Sequence, residues 1–150
     1  MKFLMTLLSL VFALVVTTPA LAALNNANNP QVLCVPLGSS TSDATVLAGV
    51  KSKGMVVTGV NFLNQANLAS SSSDYFVLSF KKGSTTVASL DTRLSGQGAI
   101  TANAKKAFNL VSSEAAVSAD AVLSAVYDET DSGAAVALSG AVMCVDFVSK

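Results

Sequence analysis

The sequence predicts an all-β protein, a single antiparallel β-sandwich of jelly-roll type. Three observations carry this. Short apolar runs recur about every ten residues, each ended by a cluster of Gly, Ser, Asn or Asp. The run "DYFVLSFKK" (74–82) alternates with period two, putting Phe76, Leu78 and Phe80 on one face and Tyr75, Val77, Ser79 and Lys81 on the other. Helical patterning is thin, and only the Ala-rich stretch 112–121 has room for a turn or two of helix.

The chain opens "MKFLMTLLSLVFALVVTTPALAALNNANN". Lys2 is the only charge before Asp43, and an apolar run from Phe3 to Val16 follows it. Ala20-Leu21-Ala22 then offers the small residues that signal peptidase accepts. These features define a cleaved signal peptide over 1–22. The apolar run is shorter than the roughly 20 residues a spanning helix needs, and no later segment is long and apolar enough. No cysteine follows the cleavage site directly, which excludes a lipoprotein. The expected location is therefore secreted, in the periplasm or at the extracellular surface.

Residues 23–31 (ALNNANNPQ) read as a flexible arm closed by Pro30, and the sandwich domain is expected over 32–150. Candidate strands follow in order. "QVLCVP" (31–36) is the first and "ATVLAGV" (44–50) the second. "GMVVTGVNFLN" (54–64) alternates so that Val56, Thr58, Val60 and Phe62 share a face. The strand at 74–82 turns at Lys82-Gly83 into "TTVASLD" (85–91), a plausible hairpin. "KAFNLVS" (106–112) pairs Phe108 with Leu110. "AVLSAVYD" (121–128) sets Leu123, Ala125 and Tyr127 against Val122, Ser124 and Val126, and "AVALSGAVMCVDFVS" (135–149) closes the chain.

Composition narrows the chemistry. Nine Lys and Arg balance nine Asp and Glu, and no basic patch exists to collect phosphates, so nucleic acid is not an expected partner. There is no histidine, which removes Ser-His-Asp and Cys-His catalysis and ordinary zinc sites. The carboxylates are scattered, and all but Asp146 lie in or beside turns, where Asp normally caps local backbone. The serines at 70–73 have no base nearby in sequence. No enzyme and no cofactor are expected. "YDETDSG" (127–133) is denser: Asp128, Glu129 and Asp131 could offer hard oxygens to Ca²⁺, although the segment lacks EF-hand spacing and reads more simply as an acidic hairpin tip. Tyr75 and Tyr127 are the candidate binding-surface aromatics, able to stack on sugars or contact a protein.

Two cysteines, Cys34 and Cys144, stand 110 residues apart in a chain expected to be exported, and are expected to pair. This spacing excludes CxxC redox catalysis. The register of the last strand has two solutions. An inward Cys144 takes Asp146 inward with it; an inward Met143, Val145 and Phe147 leave Cys144 on the outer face. The solvation cost of burying Asp146 favours the second, with the bridge as a staple between neighbouring strands.

From about Gly54 to Val148 the order of features resembles the small β-sandwich proteins attached to bacteriophage capsids, of decoration or head-fibre type. The residues carrying it are Asp74-Tyr75 opening a strand, Gly83 at the next turn and Val87-Ala88-Ser89 after it. Leu110, "VSADAVL" (117–123), Gly133 and the closing "VDFV" (145–148) complete the pattern. The family pattern favours Gly-Asp where this chain has Ala119-Asp120. The resemblance implies a sandwich fold and a decorating role; a signal peptide and a disulfide depart from cytoplasmic capsid assembly. The functional expectation is a non-enzymatic structural, adhesive or decorating module that meets a protein partner or other copies of itself at a cell or particle surface. The alternatives are a polysaccharide- or polymer-binding module, with or without calcium, and a polymerising pilus-type subunit. "ALNNANN" lacks the alternating large apolar residues a donor strand uses.

Overall fold

The computed structural model describes residues 30–39, 44–50, 53–130 and 136–150. The expected leader (1–22), residues 23–29 of the arm, and Asp131 and Gly133 lie outside them. The last two arm residues, Pro30 and Gln31, belong to the first strand rather than to a linker.

Among the described residues, ten strands form two antiparallel sheets. The long strands are β1 (Pro30–Gly38), β2 (Ala44–Val50), β3 (Met55–Leu63), β4 (Tyr75–Lys82), β5 (Thr85–Asp91), β9 (Val122–Thr130) and β10 (Ala141–Ser149). Between β5 and β9 lie the two-residue strands β6 (Lys106–Ala107), β7 (Asn109–Leu110) and β8 (Ala116–Val117). One sheet runs β1-β10-β3-β6, with β8 also on β3; the other runs β2-β9-β4-β5-β7. The pairing is nested: β1 with β10, β2 with β9, β3 with β6 and β8, and β4 with β5. The chain is thus one long hairpin, folded back at Gly83 (φ 57°) and rolled up, which is the jelly-roll order. The Ala-rich stretch holds only a short 3₁₀ turn, Ser112–Glu114. Lys82 Nζ holds that turn, donating to the carbonyls of Glu114 (3.0 Å) and Ala116 (2.9 Å) and pairing with the Glu114 carboxylate (2.9 Å).

Period two accounts for the core. Phe76, Leu78 and Phe80 of β4 are fully buried, as are Leu90 of β5 and Leu123 of β9. From the other sheet come Met55, Phe62, Met143 and Val145. Phe76 stands at the centre, its ring 5.9 Å from Phe62 across the sandwich and 5.3 Å from Tyr127 beside it. Each such side chain contributes about 1.5–3 kcal/mol by leaving water.

The sequence reading of β3 is corrected in half. Val60 and Phe62 face inward as expected, but Val56 and Thr58 do not; Met55 and Val57 are buried in their place. Phe147 pairs with Val57 and Asp146 with Gly59, so Thr58 is an extra residue. This β-bulge shifts the alternation by one and lets both halves of β3 keep large side chains inside.

Candidate functional site

Three regions of the surface carry the residues singled out from the sequence. The first is the outer face of β1, β10 and β3. Cys34 and Cys144 sit directly opposite one another on β1 and β10 and form the disulfide, with Cα atoms 4.0 Å apart. Met143, Val145 and Phe147 are buried, so the bridge lies on the outside, as the cost of burying Asp146 requires. Asp146 accepts a hydrogen bond from Asn61 Nδ2 at 2.8 Å. Around this pair the face is apolar. Pro36, Val142 and Leu63 form one cross-strand row, and Pro30, Val148 and Val56 another. Val32, opposite Asp146, is 62% exposed and Leu63 37%.

The second region is the loop end. Asn64, 1% exposed, is its hub. Its Nδ2 donates to the Ala66 carbonyl (2.8 Å), its Oδ1 accepts from the Ser139 N–H (2.8 Å), and its backbone carbonyl accepts from Asn103 N–H (2.8 Å). Asn67 Oδ1 receives the Ala102 N–H at 2.7 Å, and Leu68 pairs with Ile100 as an isolated bridge. The serine run is a built turn, with Ser71 Oγ accepting from the N–H groups of Ser73 (3.2 Å) and Asp74 (3.0 Å). Loops 64–74, 92–105 and 136–140 are therefore tied to one another over Leu68, Ile100 and Leu138, which are buried beneath them. Their polar groups satisfy backbone, as buried polar groups must.

The third region is the outer face of the β2-β9-β4-β5 sheet. Tyr75 is half-buried there, with the Arg93 guanidinium 5.0 Å from its ring centroid, a cation–π contact. Arg93 Nε donates to Asp91 Oδ2 at 2.7 Å, and the Arg93 backbone N–H donates to Asp91 Oδ1 at 2.9 Å. The side-chain hydrogen bond from Arg93 holds the Asp91 carboxyl below the usual carboxylate range, partly opposed by burial. Asp91 and Asp128 flank Val77 in one cross-strand row, two strand spacings or roughly 9–10 Å apart.

One sequence reading is corrected here. Tyr127 is not a binding-surface residue. It is 3% exposed, packs its ring tilted against Phe76, and donates its hydroxyl to the Val136 carbonyl. Both faces of β9 carry apolar residues, so the sequence alone did not say which one turns inward. Of the acidic segment, Asp128 and Glu129 lie among the described residues. Asp128 and Glu129 are neighbours in an extended strand and point to opposite faces, and the Glu129 carboxylate accepts the Val136 N–H. Asp131 lies outside the described residues, among which no group of three or more His, Cys, Asp or Glu could hold a metal.

Sequence reasoning missed Asn61, Asn64 and Thr92, all buried polar residues. Thr92 extends the β4–β5 ladder with its side chain, Oγ1 accepting from Phe76 N–H (3.0 Å) and donating to Phe76 O (3.1 Å). Asn64 and Thr92 directly follow a strand, which was their one signal; Asn61 lies within β3 and had none. Among the described residues no helix is long and apolar enough to cross a membrane. No protein family, no curated protein and no solved structure matches the chain.

Proposed function

We propose that the chain is an exported, non-enzymatic β-sandwich that serves as a structural, adhesive or decorating module at a cell or particle surface. One observation carries the reading. The outer face of β1, β10 and β3 is braced by a disulfide and lined by Val32, Leu63, Val142, Val148 and two prolines around a single charge, Asp146. Asp146 is hydrogen-bonded to Asn61 but carries the face's charge, so a partner that covers this face has to bring a donor or a cation to it. Exposed apolar patches of this kind mark interaction sites. The disulfide fits an oxidising compartment. Sedimentation velocity of the chain without residues 1–22 tests the reading. It predicts species larger than the monomer as concentration rises, or a monomer that adheres to the envelope or particle fraction of the producing cells. A monomer that does neither contradicts it.

A second reading rests on Tyr75 and Arg93, beside Asp91 on the opposite face, a grouping able to stack on and hydrogen-bond a sugar. Retention on insoluble polysaccharide that is lost in Tyr75→Ala would favour it over the first.

A further inference from the structure

We propose that the Cys34–Cys144 disulfide is a thiol-sensitive latch on the edge strand β1: exchange with an external dithiol frees β1 from β10 and leaves the rest of the sandwich folded. Four observations lead to this. Among the described residues β1 is the end strand of its sheet, hydrogen-bonded to β10 alone. It is lightly anchored, since Val35 is its one fully buried residue, whereas β10 buries Ala141, Met143, Val145 and Phe147. Leu33 and Leu37 are only half-buried, and every second residue of β1 faces outward. Local opening begins where few apolar contacts hold a segment.

The ladder adds the third observation. A Cα separation of 4.0 Å marks Cys34–Cys144 as a non-hydrogen-bonded pair, so Cys34 aims its N–H and C=O away from β10. By the same alternation Pro30, Val32 and Pro36 face the free edge, and the two prolines lose no ladder bond. Prolines at those positions keep a foreign strand from adding there, so nothing on that side replaces the hold of the disulfide. β10 has no proline between Ala141 and Ser149, and it becomes the sheet edge once β1 leaves.

The fourth is access. Cys34 is exposed and Cys144 half-buried on the outer face, so an incoming thiolate reaches the Cys34 sulfur. Attack there forms a mixed disulfide with Cys34 and expels the Cys144 thiolate, which takes up a proton. The second thiol of the dithiol then displaces Cys34 as a thiol. Two electrons and two protons pass from the dithiol to the cystine, and the dithiol leaves as its cyclic disulfide.

Hydrogen exchange read by mass spectrometry on the folded chain, with and without dithiothreitol, tests the latch. After reduction, peptides covering 30–38 should exchange at least about tenfold faster, while those covering 75–91 and 122–130 keep their protection. The native disulfide should be reduced within about tenfold of its rate in urea-unfolded protein. Unchanged exchange over 30–38 would show that the ladder alone holds β1. Loss of protection throughout would make the bond a global staple, and a native disulfide that resists reduction would remove the access argument. Each of these overturns the proposal. A Cys34→Ser/Cys144→Ser variant should reproduce the reduced pattern without any reductant; reduction of the folded native chain decides the matter if that variant does not fold.

Discussion

Replacing Tyr127 separates a packed tyrosine from a binding one. The ring lies 5.3 Å from Phe76, which contacts Phe62 of the other sheet, and the residue is 3% exposed. Tyr127→Ala therefore empties a buried aromatic site between the sheets. Such truncations cost about 3–5 kcal/mol, including the lost ring pair at about 0.5–1.5 kcal/mol. Tyr127→Phe keeps the ring and removes one hydrogen bond, leaving the Val136 carbonyl without that donor; the expected loss is about 0.5–1.5 kcal/mol. Urea unfolding followed by far-ultraviolet circular dichroism measures both, with a constant slope showing that only stability has changed. An Ala variant within about 0.5 kcal/mol of the parent, the range of surface substitutions, would refute the packing. So would a Phe variant as costly as the Ala variant, because the whole contribution would then lie in the hydroxyl.

Three further outcomes follow from the same structure. Removing the disulfide, by reduction or by paired serines, should lower stability by about 4–5 kcal/mol, the chain-entropy value for a 110-residue loop, read as an earlier urea midpoint. Deleting Thr58 removes the bulge yet keeps Met55, Val57, Val60 and Phe62 inward, so it should cost far less than deleting Asn61, which turns Phe62 or the residues before it outward at about 3–5 kcal/mol; equal costs would contradict the register. Asp91 is held below the usual carboxylate range by Arg93, so its contribution is present above about pH 4 and fades as pH falls through its folded value. Asp91→Asn should flatten that acid limb of stability, and an unchanged pH profile would show that the pair contributes nothing.

The fold was legible where alternation was clean. In β4 each inward position is Phe or Leu, and in β10 the charge of Asp146 fixed the face on which Cys144 lies. The facing of β3 was not legible, because a bulge leaves no mark in the sequence beyond a Thr-Gly pair that also suits an unbroken strand. β9 hid its facing in a similar way, with Val122 and Val126 as apolar as Leu123 and Ala125. The loop end depends on contacts such as that of Asn64 Oδ1 with Ser139, 75 residues apart, which no local pattern announces. The pairing of Cys34 with Cys144 was legible, and Tyr75 lies half-buried on the face of β4 opposite Phe76, as the alternation has it. The burial of Tyr127 was not legible, and nor was the hold of Glu129 on the returning chain at Val136.

The outer face of β1, β10 and β3 is where the functional account stands or falls. A pelleting assay compares the chain without residues 1–22 with its Val32→Lys/Leu63→Lys variant, each alone and with the envelope or particle fraction of the producing cells. Both positions are exposed, so the variant should fold as the parent does. The account predicts that the parent pellets, by itself or with that fraction, and that the variant stays in the supernatant. Equal pelleting of the two, or a parent that remains soluble in every mixture, would contradict it.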